Sequence, residues 1–285
     1  MEFLRNILNG ILMGVANVIP GVSGGTIAVV LGFYDRLMDC ITINFKVIKK
    51  NLPFLIPLGL GVVIGVVGLS KLMEILFAKF PQQTYFAFIG IILGSLPAIF
   101  TKARLTSPKI KAVPWVGFII AFAIMAFLAL FNGDAESGSV LYRTLTPESF
   151  IACLIAMAIA VATMIIPGIS GSMILIVMNM YQTIYFEVLN NFNIPLLIPS
   201  AIGGVIGLFG GAILIRYLLA HFNQLTYMII VGLLVGSIFQ LIVQANIVAF
   251  DLTLIVSIVI MLVMMVVIFK IGKKDLMQDL AKIKE

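Results

Sequence analysis

The chain contains one short motif twice. The sequence of Pro20–Gly25, PGVSGG, returns 147 residues later in Pro167–Ser172 as PGISGS, and a tyrosine follows each copy at the same distance, Tyr34 and Tyr181. Duplicated halves whose apolar segments are interrupted by glycine and proline at equivalent places are typical of membrane transporters, and the interruptions point to the binding site. The repeat therefore constrains both the architecture and the expected position of the site.

A second pair of segments carries the same duplication. Residues 80–95 share a phenylalanine, a threonine, a tyrosine, two glycines and a serine with residues 222–237, at an offset of 142. Each half also has two pairs of glycines separated by three residues: Gly61/Gly65 and Gly90/Gly94 in the first, Gly203/Gly207 and Gly232/Gly236 in the second. Such spacings of small residues let helices approach closely, so we interpret these glycines as packing positions.

Composition places the chain in a membrane. Hydrophobic residues make up 62% of the 285 positions and charged residues 11%, which is more apolar surface than one soluble core can bury. The uncharged runs Val113–Phe131 and Leu252–Phe269 are long enough to cross a hydrocarbon layer of about 30 Å.

The net charge of +6 reports topology rather than a nucleic-acid partner. Most of the lysines and arginines fall in four places: Arg5, 36–50, 102–111 and 270–284. The segments between them, near 132–148, 187–194 and 244–251, carry acids and a single cation, Arg143. The positive-inside rule assigns the basic segments to the cytoplasm. We therefore expect a multi-pass membrane protein with cytoplasmic N- and C-termini.

Each half divides into five apolar segments. They lie near 6–19, 22–35, 53–78, 84–100 and 113–131 in the first half, and near 149–166, 170–186, 195–219, 225–243 and 252–269 in the second. The repeated turn joins the first two segments of each half directly, and the arms of the first pair have roughly 14 residues against the ~20 that a spanning helix needs. We predict an all-α integral membrane protein in which each half has one re-entrant helical hairpin and three transmembrane helices.

Three crossings per half are an odd number, so the second half is predicted to be inverted relative to the first. The domains are then residues 1–131, the first inverted repeat, residues 148–270, the second inverted repeat, and residues 271–285, a cytoplasmic tail. The charges agree, because the flanks of the first hairpin are basic whereas those of the second are acidic. Full crossing by both arms of a hairpin would leave this parity unchanged, so the charges favour inversion more strongly than re-entrance.

The repeated turn has the chemistry of an anion site. Proline ends the first arm because it lacks an N–H, and glycine permits a sharp turn. The second arm starts at once, so we expect free N–H groups in 22–26 and 169–173 to point toward the membrane centre, where helix N-termini attract phosphate. Serine and threonine add hydroxyl donors. The candidate residues are Pro20, Gly21, Val22, Ser23, Gly24, Gly25 and Thr26 in the first motif, and Pro167, Gly168, Ile169, Ser170, Gly171 and Ser172 in the second. The other interpretation of each motif is a simple helix kink.

Three charged residues fall inside predicted spanning segments, where a charge is costly. Lys71 and Glu74 are predicted near the outer end of 53–78, and Arg216 near the inner end of 195–219. A guanidinium binds phosphate oxygens through two parallel hydrogen bonds, so Arg216 joins the candidate site with the other two. Snorkelling to the interface is the alternative, above all for Lys71. No cluster of His, Cys and carboxylates predicts a metal site, and no cofactor is expected.

The residues around the first motif carry a family resemblance. The stretch Gly14–Thr26, GVANVIPGVSGGT, with GFYDR at 32–36, resembles the signature of bacterial undecaprenyl-phosphate translocases of the PopT type. The resemblance implies a flippase of the bacterial cytoplasmic membrane. Such a flippase returns undecaprenyl phosphate, the lipid carrier of peptidoglycan synthesis, from the outer to the inner leaflet. The family often has an acid where this chain has Asn17, so coupling to a proton or another ion stays open.

Two other functions use similar residues. Polyprenyl-pyrophosphate phosphatases have a similar Pro-Gly-x-Ser followed by arginine, but here Gly24 and Gly171 follow the serines. A secondary transporter of a small soluble anion can also use paired hairpins and would meet the same phosphate chemistry. The sequence favours a lipid-phosphate transporter over an enzyme and leaves the exact anion and the oligomeric state open.

Overall fold

The computed structural model describes residues 2–18, 23–104, 109–130, 140–247 and 251–284, and the regular structure within them is helical. The first half contains α1 (Glu2–Val18), α2 (Gly24–Val30), α3 (Tyr34–Cys40), α4 (Phe45–Val63), α5 (Leu69–Lys79), α6 (Pro81–Arg104) and α7 (Ala112–Leu130). The second contains α8 (Pro147–Ile165), α9 (Gly171–Val177), α10 (Ile194–His221), α11 (Asn223–Gln244) and α12 (Leu252–Lys284). A π-helical turn, Ile64–Gly68, joins α4 to α5, and a π-helical segment, Thr183–Asn190, precedes α10.

Seven helices of the described residues are long and apolar enough to cross a membrane: α4 with its π-helical turn, α6, α7, α8, α10, α11 and α12. The prediction of an all-α integral membrane protein is therefore confirmed. Five of these helices match predicted spans, whereas the predicted span 53–78 is divided: α4 with its π-helical turn covers Phe45–Gly68, and Leu69–Lys79 forms α5. The seventh, α8, is the first arm of the second hairpin, predicted at 149–166 as part of a re-entrant hairpin, and its 19 residues give it the length of a spanning helix.

Local sequence signals set several helix starts. Asn44 caps α4, where its Oδ1 accepts a hydrogen bond from the N–H of Lys46 at 3.0 Å. Thr146 and Ser149 form a capping box at the start of α8, in which each side chain bonds the other residue's backbone N–H. Pro147 occupies the first turn, where a missing N–H costs nothing. With these caps, α8 starts two residues before the predicted 149, and α4 starts eight residues before the predicted 53.

The second arm of each hairpin is broken, which corrects the prediction of continuous segments at 22–35 and 170–186. After seven residues, α2 and α9 each end in a left-handed residue, Gly32 with φ 76° and Asn179 with φ 55°. In both copies the N–H groups of the left-handed residue and of the residue after it donate hydrogen bonds to carbonyls in the last turn of the helix. This is the Schellman arrangement. Glycine and asparagine are the residues that adopt this backbone at least cost. Tyr34 and Tyr181, the tyrosines that follow the two motifs at the same distance, therefore each start a new helical section beyond the break.

Equivalent helices of the two sequence repeats form equivalent pairs. α1 packs on α4 and α8 packs on α10, whereas α6 pairs with α12 and α7 with α11, so the last two pairs join the halves. α6 and α11 also contact each other at the centre of the molecule. The halves are therefore interlocked rather than laid side by side.

The repeated glycines lie in these interfaces, as predicted. A Cβ added at Gly61 would meet the backbone carbonyl of Ile7 on α1, and one at Gly203 would meet that of Leu154 on α8. The glycines of the second set behave alike: Gly90 and Gly94 face Met261 and Met265 on α12, and Gly232 and Gly236 face Phe118 and Phe122 on α7. Glycine at these positions lets two helix backbones touch.

Candidate functional site

The two repeated turns meet. The hydroxyl oxygen of Thr26 accepts a hydrogen bond of 2.9 Å from the backbone N–H of Gly168, which is 142 residues away in the chain. Thr26 is 1% exposed. The predicted convergence of the two hairpin tips is therefore visible as a direct bond between a side chain of one motif and the backbone of the other.

The hydroxyls of the first motif satisfy one another. Ser23 is the N-cap of α2, and its Oγ accepts from the N–H of Thr26 at 3.2 Å and lies 3.1 Å from the Thr26 hydroxyl. The expectation of free N–H groups in 22–26 and 169–173 is therefore wrong at Thr26 and Ile169, and the N–H of Gly168, just before the second stretch, is bonded as well. The N–H of Thr26 bonds to Ser23, that of Gly168 to Thr26, and that of Ile169 to the carbonyl of Ile166 at 3.4 Å.

The second motif is arranged differently from the first. Gly168 has φ +93° and lies against the backbone of Leu233 on α11, so only glycine fits there. The hydroxyls of Ser170 and Ser172 are 2.7 Å apart. Ser170 begins α9 without a side-chain capping bond, unlike Ser23. Ser170 is buried and Ser172 is half-buried.

Further contacts fix the first hairpin against the end of α8. The Tyr34 hydroxyl donates a buried hydrogen bond of 3.0 Å to the carbonyl of Ile165, the last residue of α8. Gly25 lies against the same carbonyl, so a Cβ there would come within 2.7 Å of the oxygen. Tyr34, the tyrosine that follows the first motif, thus joins the first half to α8 of the second half.

Several predicted site residues lie outside what the structure describes. Pro20, Gly21 and Val22 fall in the undescribed stretch between α1 and α2. Lys71 and Glu74 belong to α5, but their side chains are outside the described part. Their predicted roles stay predictions.

Arg216 lies on α10 beyond the contact with the hairpin tip. Gly211 of the same helix packs against Ile165, and five residues of helix separate it from Arg216 by about 8 Å along the axis. The Arg216 side chain is half-buried. It lies close enough to Asp39, near the end of α3, for the two charges to interact. Partial burial raises the pKa of Asp39, the nearby Asp35 raises it further, and Arg216 lowers it.

A polar cluster next to the first hairpin consists of Asp35, Lys102 and Tyr227, which were not among the candidate residues taken from the sequence. The Lys102 ammonium donates to Asp35 Oδ2 at 2.6 Å, and the Tyr227 hydroxyl donates to both carboxylate oxygens at 2.9 and 3.0 Å. Three helices contribute one residue each: α3, α6 and α11. Only 17% of the Lys102 side chain is exposed, so the cluster joins both halves in a partly dry environment.

The repeat itself contained the signal for this cluster. At the two offsets, Asp35 and Lys102 align with Gln182 and Gln244. A charged pair in one half thus stands where the other half has two neutral amides. The presence of opposite charges at Asp35 and Lys102, where the other half has amides, favours an ion pair between these two residues.

A cavity of about 380 Å³ opens beside the same hairpin, between α1 and α4. Arg36 and Glu2 line it and bond to each other at 2.9 Å, and the Arg36 guanidinium lies 4.4 Å from the ring centre of Phe54. Its remaining walls are apolar and include Leu52 and Ile56, which are exposed. The cavity therefore combines a cation with a surface suited to hydrocarbon.

Within the described residues, no group of three or more His, Cys, Asp or Glu is arranged to hold a metal. The chemistry at the tips is hydrogen bonding by hydroxyls and backbone N–H groups inside an apolar bundle.

Fold and site together define a multi-pass helical membrane protein with a duplicated motif whose two polar turns meet inside the bundle. The chain belongs to the VCA0040-like family, described as undecaprenyl phosphate translocase-like, whose model matches residues 13–253. The family resemblance seen in the sequence is thereby confirmed.

Two relatives are named polyprenyl-phosphate transporter. The one from Vibrio cholerae serotype O1 (strain ATCC 39315 / El Tor Inaba N16961) is 33% identical over 253 residues, covering 84% of this chain and 77% of the relative. The one from Staphylococcus aureus (strain NCTC 8325 / PS 47) is 32% identical over 260 residues, covering 88% of this chain and 91% of the relative. No solved structure matches the chain.

Proposed function

We propose that the protein is a flippase that moves undecaprenyl phosphate across the bacterial cytoplasmic membrane, from the outer to the inner leaflet, so that the lipid carrier is used again. The observation that carries the proposal is the bond between Thr26 and Gly168. It brings together the two turns that the sequence marks as binding elements, in a family whose named relatives transport polyprenyl phosphate.

In this proposal the phosphate takes the place of the bond between the tips. When Thr26 and Gly168 separate, the N–H of Gly168 becomes available to the phosphate. The Thr26 hydroxyl, no longer the acceptor of that bond, can then turn its own O–H toward the anion. Ser23, Ser170 and Ser172 supply further hydroxyl donors next to them. Neutral donors in a low-dielectric site bind an anion well because they need no counter-ion of their own.

The halves are proposed to be inverted repeats with both termini in the cytoplasm. The α3 end of the first hairpin then faces the cytoplasm, and Arg216 and the cavity beside Arg36 lie on the release side. The apolar walls of that cavity suit the polyprenyl tail, while the phosphate moves from the tips to Arg216. A cysteine at Asn191 should react with an impermeant thiol reagent from outside intact cells, and one at Lys109 should not. Labelling at Lys109 with none at Asn191 would overturn the inversion.

Transport by purified protein in liposomes is the direct test. Polyprenyl phosphate is placed in one leaflet, and its appearance in the other is followed. Ser23→Ala and Ser170→Ala should each slow transport about tenfold or more, since a hydrogen bond to a charged group contributes about 1.5–3 kcal/mol. Ser95→Ala and Ser257→Ala are the controls, because these serines are buried and their hydroxyls bond to carbonyls of their own helices. Equal activity in all four variants would remove the tips from the site.

Two substitutions test Arg216. Arg216→Lys keeps the charge but loses the planar fork, so transport should fall partly, whereas Arg216→Ala should lose most of it with the fold intact. Arg143→Ala, at an exposed loop position, is the control. Full transport by Arg216→Ala at normal membrane abundance would exclude Arg216 from the path.

We further propose that the protein moves its lipid without hydrolysing it. Ser23 is 1% exposed and bonded to Thr26, and the single histidine of the chain, His221, is exposed and stacked on Tyr217 at the end of α10. A serine nucleophile needs an adjacent base. Purified protein should release no phosphate from polyprenyl pyrophosphate; release that Ser23→Ala abolishes would establish a phosphatase. Uptake of inorganic phosphate in place of the lipid would instead indicate a carrier of soluble anions.

A further inference from the structure

Helix α11 carries a buried side-chain amide, that of Gln240, whose hydrogen bonding is incomplete. Gln240 is 3% exposed. Its Nε2 donates a long bond of 3.7 Å to the sulfur of Met173 on α9, and a thioether is a weak acceptor. Its Oε1 has no hydrogen-bond partner among the described residues. A buried polar group left unpaired is costly, so its presence calls for a functional or structural reason.

Gln240 differs from the other amides in the described residues that have a buried, unpaired atom. Those are Gln82, Asn223 and Gln244, which occupy the second position of α6, the first of α11 and the last of α11. All three are less buried than Gln240 and lie where a helix ends. Gln240 is a full turn inside α11 and packs against the second hairpin.

The position of Gln240 relates it to the meeting point of the tips. Gly168 packs on Leu233, and seven residues of helix place Gln240 about 10 Å from there along α11. Tyr227, which bonds to Asp35, lies about 9 Å from Leu233 in the opposite direction. Gln240 is therefore on the other side of the tips from the charged cluster, the side that the proposed topology turns to the outer leaflet.

The cations on the helices that contact α11 lie far from Gln240. α7, α9 and α11 contain no lysine or arginine. Lys102 and Arg104 on α6 and Arg216 on α10 lie toward the Tyr227 end of α11, and Tyr227 is 13 residues, about 20 Å of helix, from Gln240. A low-dielectric site without a counter-ion favours the less charged form of a ligand, and a phosphate monoester changes between one and two charges near pH 6. A monoester held here is thus a monoanion, with one P–OH donor and P–O⁻ acceptors. A carboxamide presents the complementary set, one acceptor and one donor.

We propose that Gln240 is a specificity-determining residue that binds the head of a lipid phosphate monoester, accepting a hydrogen bond from the P–OH at Oε1 and donating one from Nε2 to P–O⁻. This inference rests on the proposed function. Nε2 gives up only its bond to Met173 Sδ, and Oε1 gains the partner it lacks. A phosphodiester, the linkage of ordinary phospholipids, has no P–OH and leaves Oε1 unpaired. Gln240 therefore selects the carrier lipid from the surrounding bilayer.

The test compares polyprenyl phosphate with its monomethyl ester, a phosphodiester with the same tail, one negative charge and no P–OH. Both are assayed in liposomes with the wild type, with Gln240→Leu and with Gln82→Leu as the control for an unpaired amide away from the hairpin. The wild type and Gln82→Leu should move the monoester at least about tenfold faster than the methyl ester, because a site built to bond a hydroxyl rejects the analogue without it. Gln240→Leu should lose that preference, with similar rates for both lipids. Gln240→Met, of nearly the same length, replaces Gln240→Leu if the latter does not fold.

The outcomes separate the two proposals. A Gln240→Leu or Gln240→Met protein that is folded and still prefers the monoester overturns the role of Gln240 and leaves the flippase standing. Loss of the preference in Gln82→Leu as well also overturns it, because the effect would then not belong to Gln240. A wild type that moves neither lipid overturns the proposed function, and this inference with it.

Discussion

The two hairpins share a backbone plan and differ in charge. Each has a PG-x-SG turn, a seven-residue helix and a left-handed residue that starts a new helical section. Beyond that break, the first hairpin presents Asp35 to Lys102 and Tyr227. The second has Gln182 in place of Asp35 and stacks Tyr181 on Tyr185 at 4.4 Å. The two copies thus share a scaffold and differ in the polar groups that lie beyond the break.

The largest expected effects on stability come from the glycines at the helix interfaces of the two halves. Gly61→Ala and Gly203→Ala place a Cβ against a backbone carbonyl of the neighbouring helix, so each should destabilise the protein by about 2–3 kcal/mol or prevent folding. The controls Gly59→Ala and Gly210→Ala meet nothing within 4 Å and should be neutral or slightly stabilising. Thermal unfolding in detergent measures all four. Loss in only one half would break the equivalence of the α1–α4 and α8–α10 pairs.

The Asp35–Lys102 ion pair should contribute to stability, whereas Gln182, which takes the place of Asp35 in the second half, should contribute little. Asp35→Asn leaves Lys102 without its counter-ion, and because the Asp35 side chain is 42% exposed we expect a loss of about 1–2 kcal/mol. Gln182→Ala should change stability by less than about 0.5 kcal/mol. The double variant Asp35→Asn with Lys102→Gln copies the amides of the second half and should recover part of the loss. Additive effects of the two changes would mean that Asp35 and Lys102 are not coupled.

The two tyrosines give the most closely matched pair. Tyr34→Phe removes a buried hydrogen bond to Ile165 and should cost about 1 kcal/mol. Tyr181→Phe keeps the stacked ring and should cost under about 0.5 kcal/mol. The same unfolding assay compares them, and equal losses would show that the bond to Ile165 contributes nothing specific.

The smallest effect is a difference in pH dependence. The pKa of Asp39 is raised by burial and by Asp35, so the folded state binds its proton more tightly and loses stability as pH rises through the raised pKa. Asp39→Asn should be more stable than the wild type near neutral pH and equal to it in acid. The pKa of Glu187 is lowered by hydrogen bonds from Asn193 and Asn191, so its contribution is present above its ordinary pKa and disappears as pH falls through the lowered one.

Glu187→Gln should therefore be less stable than the wild type near neutral pH, and the difference should vanish in acid, the reverse of the Asp39→Asn result. Unfolding midpoints measured from about pH 3 to about pH 7 compare the two. If the stability difference from the wild type changed with pH in the same direction for both variants, the surroundings assigned to Asp39 or to Glu187 would be wrong.

The sequence by itself determined the class of protein, the spanning helices and the glycine interfaces. These follow from apolar run length and from residue spacing, which are local properties of the chain. The repeat also located the two turns correctly. It gave the wrong state for the N–H groups of Thr26 and Ile169, which bond to Ser23 and Ile166 within their own turns. It also did not reveal the bond from Gly168 to Thr26, because that partner comes from the other half of the chain.

Only the tertiary structure decided which polar groups pair across the halves. Asp35, Lys102 and Tyr227 are each unremarkable in their own segments, and α3, α6 and α11 must pack before they meet. The unpaired oxygen of Gln240 likewise becomes visible only when α9 covers it. A hydrogen bond depends on distances of a few tenths of an ångström between residues far apart in sequence, and periodicity in a single chain does not encode those distances.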